Sequence, residues 1–331
     1  MSAEVGLAPL RFGVLGTSRF AIRRMLPALA ELPGTELTAI ASRDIHRAED
    51  AAAPYDATAV QGYEALLRRD DVDAVYVPLP ASLHAHWAEA ALRAGKHVLV
   101  EKPATTQPEH AASLVELARR AGLALMENIM FVHHHQHATV RTLVKDGCIG
   151  ELRSLQAGFG IPRLVTTDIR YAQELDGGAL WDVGIYPLRA ALHFLGHDLE
   201  VLGARLTRGA YQQVDTAGAA LLSTPSGVTA QIVFGLDHGY RSFYELWGSE
   251  GRITVERAFT PPADHKPVIR MTRASGTEEI RLAPDDQTRN TLAAFIASAH
   301  SMEGPGHQHE TLLRQAQLLD NVREAGRDRP A

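Results

Sequence analysis

The sequence predicts an α/β protein of two domains: a doubly wound parallel sheet, then an α+β domain with a mostly antiparallel sheet. Two observations carry this. Over the first 125 or so residues, short β-rich runs alternate with segments whose apolar residues recur at helical spacing, and strands so separated pair in parallel. Beyond about residue 126, strand-like runs follow one another with turn signals between them, as in hairpin-connected antiparallel sheets. No fixed-period repeat or low-complexity linker intervenes. A change of pattern therefore sets the expected domains, 1–126 and 127–331.

In order, LRFGVLG is a strand ending in glycine and SRFAIRRMLPALAEL a helix. TELTAIAS and IHRAEDAAAPY are the second strand and helix. YEALLRRDDV is a helix before the strand AVYVPLP, LHAHWAEAALRAG a helix before KHVLVEKP, and PEHAASLVELARRAG a helix before LALMENI. The second domain opens with the helix HHQHATVRTLVKDG and the strand GELRSLQAGFG, then a helix around WDVGIYPLRAALHFLG. The strands VLGARLTRGAY, TAGAALLST, VTAQIVFGL, RSFYELWG, RITVERAF, PVIRMTR and EEIRLA follow. The helices TRNTLAAFIASAHS and HETLLRQAQLLDNVREA close the chain.

With 331 residues, 45% hydrophobic and 22% charged, the chain has a globular composition and room for two cores. A net charge of -6 without a basic block argues against nucleic-acid and membrane-surface partners. No apolar run approaches the roughly 18 residues of a membrane span. MSAEVGLAPL lacks the basic and apolar regions of a secretory signal. The single cysteine, Cys148, allows no internal disulfide and fits a reducing compartment, so the expected location is cytoplasmic.

The first βα turn carries Gly16-Thr17-Ser18-Arg19-Phe20-Ala21, a G-x-G-x-x-A pattern with Ser18 in place of the middle glycine. A pyrophosphate at a helix N-terminus demands a tight turn and close backbone approach. Serine is small enough, and its hydroxyl can donate to a phosphate. Alone the motif is an ordinary strand–turn–helix; at the head of an alternating α/β run it marks a Rossmann dinucleotide site. The second strand ends in IASRD, where NAD sites usually place an acidic residue for the ribose 2′-OH. Ser42-Arg43 suits a 2′-phosphate instead, with Arg19 near, so NADP(H) is expected rather than NAD. The alternative makes Ser42-Arg43 a solvated turn and gives the ribose to Asp44 or His46. Two prolines stiffen the loop VPLPASLHAHWA at the carboxyl end of its strand, where such sheets bind ligands. Pro78, Leu79, Leu83 and His84 are therefore candidate cofactor contacts; His84 reads equally as a helix-face histidine.

At VEKP these pieces combine. Gly16-x-Ser18, the VPLP turn and Glu101-Lys102-Pro103 together resemble the Gfo/Idh/MocA oxidoreductases. The resemblance continues through NIMFVHHHQHATVRTLVKDGCIGELRSL, LDGGALWDVGIYPL and ELWGSEGRITVE, covering nearly the whole chain. It implies a C-terminal domain whose open-faced sheet packs subunits into homodimers or homotetramers, and hydride transfer on sugars, cyclitols or diols. Within the family the chain looks most like the sugar-nucleotide C-3 ketoreductases of deoxysugar biosynthesis. That likeness implies NADPH-dependent reduction of a dTDP-3,4-diketo-2,6-dideoxyhexose on the way to an antibiotic sugar, with the nucleotide sugar as small-molecule partner.

Ketone reduction needs hydride at the carbonyl carbon and a proton, or electrostatic support, at the oxygen. Lys102, at the end of a strand that should face the nicotinamide, is the expected proton donor, with Glu101 holding it by an ion pair. Asp182 and Tyr186 are four apart and share a helix face. In the family pattern this stretch projects Asp-x-x-x-His or Asp-x-x-x-Tyr at the substrate. The tyrosine version departs from the inositol-dehydrogenase pattern and puts polyol oxidation in doubt. Tyr186 is read as helper to Lys102, the reverse assignment staying open. Asp182 binds a sugar hydroxyl or the lysine, or is a helix cap.

Arg163 is either a phosphate contact or a solvated loop residue. Phe243 and Tyr244 either stack on a nucleotide base or belong to the strand core; Tyr244 is carried as a substrate contact. His133, His134, His135 and His137 invite a metal reading, but neighbours on a helix diverge and no Cys or carboxylate spacing completes a set, so no metal is expected. Two rivals to a keto-sugar reductase remain: a dehydrogenase of a free sugar, cyclitol or trans-dihydrodiol, and a non-catalytic NADP-binding sensor. The sensor needs neither Lys102 nor Tyr186.

Overall fold

Between the helices of the N-terminal half, the apolar β-rich runs become strands of one parallel sheet. The structure, a computed structural model, describes residues 8–210, 212–301 and 306–327. Residues 1–7, part of the stretch expected not to be a secretory signal, lie outside them. The chain divides into two units, one of Met1–Ala104, Glu109–Asn128 and Thr288–His309, the other of Thr105–Pro108, Ile129–Gln287 and Glu310–Ala331.

In the first unit the strands are β1 (Leu10–Leu15), β2 (Thr35–Ser42), β3 (Thr58–Gln61), β4 (Ala74–Val77), β5 (His97–Glu101) and β6 (Leu125–Asn128). They run parallel in the order β3-β2-β1-β4-β5-β6. The helices between them are α1 (Leu26–Glu31), α2 (Ile45–Ala52), α3 (Tyr63–Leu67), α4 (Ala81–Arg93) and α5 (Pro108–Ala121). This is the doubly wound sheet that the alternation predicts. β3 is a short edge strand that the sequence reading leaves unassigned; its four residues carry no run of buried side chains to betray it. The first expected helix begins as a wide π-turn, Ala21–Met25, before α1. Pro27 has no N–H to donate one turn back, which loosens the helix there. The sheet is buried on both faces, so β4 has no exposed position. The Phe12 ring of β1 lies 5.7 Å from that of Phe295, on α8 (Gln287–His300).

In the second unit α6 (His135–Lys145) leads to β7 (Leu152–Gly160), and a second π-turn, Leu180–Gly184, to α7 (Ile185–Leu195). The strands β8 (Glu200–Thr207), β9 (Ala217–Ser223), β10 (Thr229–Gly235), β11 (Arg241–Gly248), β12 (Gly251–Glu256), β13 (Val268–Arg273) and β14 (Gly276–Arg281) follow, and α9 (Gly306–Gly326) ends the chain. The sheet order is β14-β13-β12-β11-β7-β10-β9-β8. Its pairs are antiparallel except β7 with β10, as the hairpin signals predict. Alternation along β10 puts Ala230, Ile232 and Phe234 in the core and Val233 on the opposite face. Leu188, Ala191 and Leu192 of α7 belong to the same core. On the other strands Leu202, Leu221 and Trp247 are also exposed, an apolar scatter on strands whose partners are core residues.

Candidate active site

Strand order reverses between β1 and β4, and ligands of doubly wound sheets bind outside the carboxyl ends at such a point. Gly16 follows β1 with φ +112°, a conformation only glycine adopts readily, and a Cβ there would lie 2.8 Å from Leu79. Backbone alone can thus face a pyrophosphate here, and the residues fit the dinucleotide the motif implies. Thr17 is buried. The Ser18 hydroxyl accepts from the Ala21 N–H at 3.1 Å, which closes the turn and leaves its O–H to donate. Arg19 and Phe20 are exposed.

At the end of β2, Ser42 is buried and accepts from the Asp44 N–H at 3.2 Å. The Asp44 carboxylate in turn accepts from the His46 N–H at 3.0 Å, capping α2. That bond engages Oδ1 of the residue offered as the alternative ribose contact, while His46 faces Glu49 at the surface. Arg43 is exposed and its charge acts on the Tyr63 hydroxyl: burial pushes the Tyr63 phenol up, and Arg43 and Arg47 oppose it. The same hydroxyl is 3.7 Å from the Cβ position of Gly16, so Arg43, Tyr63, Gly16 and Leu79 form one cluster at the strand ends.

Lys102 follows β5 on a turn held from several sides, and the Lys102–Pro103 peptide is cis. The Glu101 carboxylate accepts from the Tyr76 hydroxyl at 2.6 Å and from Asn128 Nδ2 at 2.5 Å. Burial pushes the Glu101 carboxyl up, while Tyr76, Asn128 and the Lys102 charge pull it down. Burial, reinforced by Glu101, also raises the Tyr76 phenol far above its usual range. Glu101 is therefore tied into the sheet by Tyr76 and Asn128. One residue on, the Ala104 N–H donates to buried Glu127 at 2.7 Å. His84, on α4, is 1% exposed and sends its ring to the backbone, 2.6 Å from the Pro103 carbonyl and 2.6 Å from the Leu79 carbonyl. It is neither a helix-face histidine nor aimed outward at a ligand. Pro78 and Leu79 follow β4, and Leu83 lies in the first turn of α4.

In the second unit, Asp182 lies in the π-turn before α7 and accepts from Arg170 Nε at 2.6 Å. Arg170 also reaches Asp168 at 3.2 Å, and Asp182 is the main cause that raises its guanidinium. The turn itself starts on a buried acid: Asp215 Oδ2 accepts from the Leu180 N–H at 2.7 Å, with burial pushing that carboxyl up. Gly178, at φ +132°, brings its backbone against Asp215, where a Cβ would meet Oδ1 at 2.6 Å. The Tyr186 ring packs among Phe159, Phe259 and Phe131 at centroid distances of 5.1, 5.8 and 6.2 Å, with the residue part-exposed.

The structure bears on three further expectations. Tyr244 is fully buried, its hydroxyl donating to His137 Nδ1 at 2.9 Å while Nε2 donates to the Ala258 carbonyl at 3.0 Å; it is core, not a substrate contact. Arg163 is exposed and paired with Asp237, its Nε donating at 3.1 Å. A carboxylate distant in sequence does join the histidine run, because Asp285 places its oxygen within 4.8 Å of the ring nitrogens of His134 and His135. The arrangement is a helix cap: Asp285 accepts from the His135 N–H at 2.8 Å, and His134 Nδ1 accepts from the Gln136 N–H at 3.2 Å. Sequence reasoning missed Tyr63, Tyr76, Glu127, Asn128, Arg170 and Asp215, which are brought in by strand pairing or by loops no short motif marks.

A family model described as an oxidoreductase family with an NAD-binding Rossmann fold matches residues 10–129, and a GFO/IDH/MocA C-terminal domain matches residues 137–254. The dTDP-3,4-didehydro-2,6-dideoxy-alpha-D-glucose 3-reductase of Streptomyces violaceoruber is 51% identical over 325 residues, 96% of this chain and 95% of the relative. A D-xylose 1-dehydrogenase (NADP(+)) of Haloferax volcanii is 33% identical over 321 residues, 96% of this chain and 97% of its own. The crystal structure of a 3-ketoreductase from Actinomadura kijaniata, in complex with NADP and TDP-benzene, superposes with a TM-score of 0.94 at 50% identity and covers 97% of this chain and 98% of its own. Both halves match, and with them the anchored lysine turn after β5: the chain is a member of the Gfo/Idh/MocA oxidoreductase family.

Proposed function

We propose that the chain catalyses NADPH-dependent reduction of the C-3 ketone of a dTDP-linked keto-deoxysugar of the dTDP-3,4-diketo-2,6-dideoxyglucose type, in the cytoplasm. What carries the reading is the end-to-end likeness, at 51% identity, to a dTDP-sugar 3-reductase. The Gly16–Phe20 turn holds the pyrophosphate on backbone N–H groups, and Arg43 with Ser42 takes the 2′-phosphate. Pro78, Leu79 and Leu83 add apolar contact. When bound, the dinucleotide supplies a hydride to the carbonyl carbon. Lys102 gives a proton to the C-3 oxygen, so that the ketone becomes a secondary alcohol, and Tyr186 donates a second hydrogen bond to that oxygen. Asp182, held in place by Arg170, accepts from a sugar hydroxyl. The exposed Leu202, Leu221, Val233 and Trp247 support a homo-oligomer formed through the second sheet.

The test is NADPH oxidation followed by absorbance with freshly generated dTDP-diketo-sugar, against free ketoses as controls. Turnover with the nucleotide sugar alone is expected. Equal or faster turnover of a free ketose, or reverse reaction on xylose or inositol only, overturns the nucleotide-sugar assignment.

A further inference from the structure

The ring of His84 is a buried titratable group beside the lysine turn to which the reaction scheme gives no part. It is 1% exposed, and its two nitrogens each lie 2.6 Å from a backbone carbonyl oxygen, Nδ1 from Pro103 and Nε2 from Leu79. A carbonyl oxygen only accepts. A neutral imidazole has one N–H, so it would satisfy one carbonyl and set its other lone pair against the second. Only the imidazolium donates at both ends. Charge-assisted bonds are also the short ones, as these are.

The two carbonyls belong to the loops that close β4 and β5. Leu79 is the side chain packed over the Gly16 turn, and Pro103 directly follows Lys102. One ring thus ties the backbone beneath the dinucleotide turn to the backbone that carries the proton donor.

We propose that His84 is a positioning residue of the reductase, a buried imidazolium that fixes the spacing of the Leu79 and Pro103 carbonyls and thereby the placement of Lys102. The assignment of what Lys102 does rests on the function proposed above; the double donation does not. The alternative is a neutral structural histidine, and the two differ spectroscopically. In protein labelled with 15N-histidine, both His84 ring nitrogens should show the protonated, N–H type of shift at neutral pH. The signals are identified by their loss in His84→Gln or, should that variant fail to fold, through couplings to the backbone. One unprotonated ring nitrogen at neutral pH overturns the clamp.

The kinetic arm uses His84→Gln and His84→Asn, each of which keeps one donor nitrogen. Their kcat on the nucleotide sugar should fall by roughly tenfold or more, as misplacement of a catalytic group commands. KM for the sugar should stay within about threefold, because no contact to it is removed. A rise in KM with kcat preserved overturns the positioning role. Wild-type protein inactive on nucleotide sugars would sink the functional reading, and the NMR measurement would still decide His84.

Discussion

At the scale of single residues, the two proton donors proposed for the reduction stand on unlike supports. Lys102 stands on a turn whose neighbours are fixed by Tyr76, Asn128, Glu127 and His84. Tyr186 stands in an aromatic nest. Lys102→Ala should cut kcat by roughly 10²–10⁴-fold, the usual worth of a positioned proton donor, while NADPH still binds in a fluorescence titration. Near-normal turnover would remove the assigned role. Tyr186→Phe should cost less, and the reverse ranking would hand the donor role to the phenol. Arg43→Ala should weaken NADPH by about tenfold or more and NADH little, the loss of charge-assisted bonds to a 2′-phosphate. An equal effect on both would refute that contact. Lys102, Asp182 and Tyr186 are candidates because the motifs that carry the family resemblance include them. Their supports were not legible: Glu127 and Asn128 reach the lysine turn only because β6 pairs with β5. Nothing in MENIM announces that pairing.

Elements tell a similar story. Alternation in the N-terminal half and hairpin signals in the C-terminal half were enough for both sheets, because hydrophobic period reports which face is buried. β3 escaped since an edge strand of four residues has little burial to report. The π-turns at Ala21–Met25 and Leu180–Gly184 escaped because helical periodicity does not resolve one extra residue per turn. Tyr244 went astray for another reason: an aromatic on a strand looks the same facing a ligand or a core, and only the partner strands of β11 decide. At the start of the second π-turn, the buried Asp215 carboxylate meets the Leu180 N–H. Asp215→Ala should cost about 1–2 kcal/mol, the typical worth of a helix cap, and lower kcat by displacing Asp182 and Tyr186. Unchanged thermal stability and unchanged turnover would dismiss the cap.

The whole molecule offers two bulk readouts. If the second sheet pairs with a second copy, Trp247→Glu together with Val233→Glu should shift the particle to monomer mass in light scattering; an unchanged mass would place the interface elsewhere. Acid should also unfold the protein early. Burial holds His133 and His134 down at about 4, against an ordinary 6.5, and pushes His137 well below its ordinary value too. A depressed imidazole leaves stability untouched above 6.5 and erodes it as pH falls from there toward 4, because the unfolded chain takes up protons the folded one refuses. Tm should therefore fall steadily between pH 7 and about 5; a flat Tm across that interval would contradict it. The wide turn at Leu180–Gly184 has a last consequence, for length rather than composition. Because such a turn stores about one residue more than a plain α-helical turn, excising one residue there leaves the chain on either side close to its present facing. A one-codon deletion at this place should therefore be better tolerated than the same deletion inside α7, where each residue removed turns the flanks by about 100° against one another.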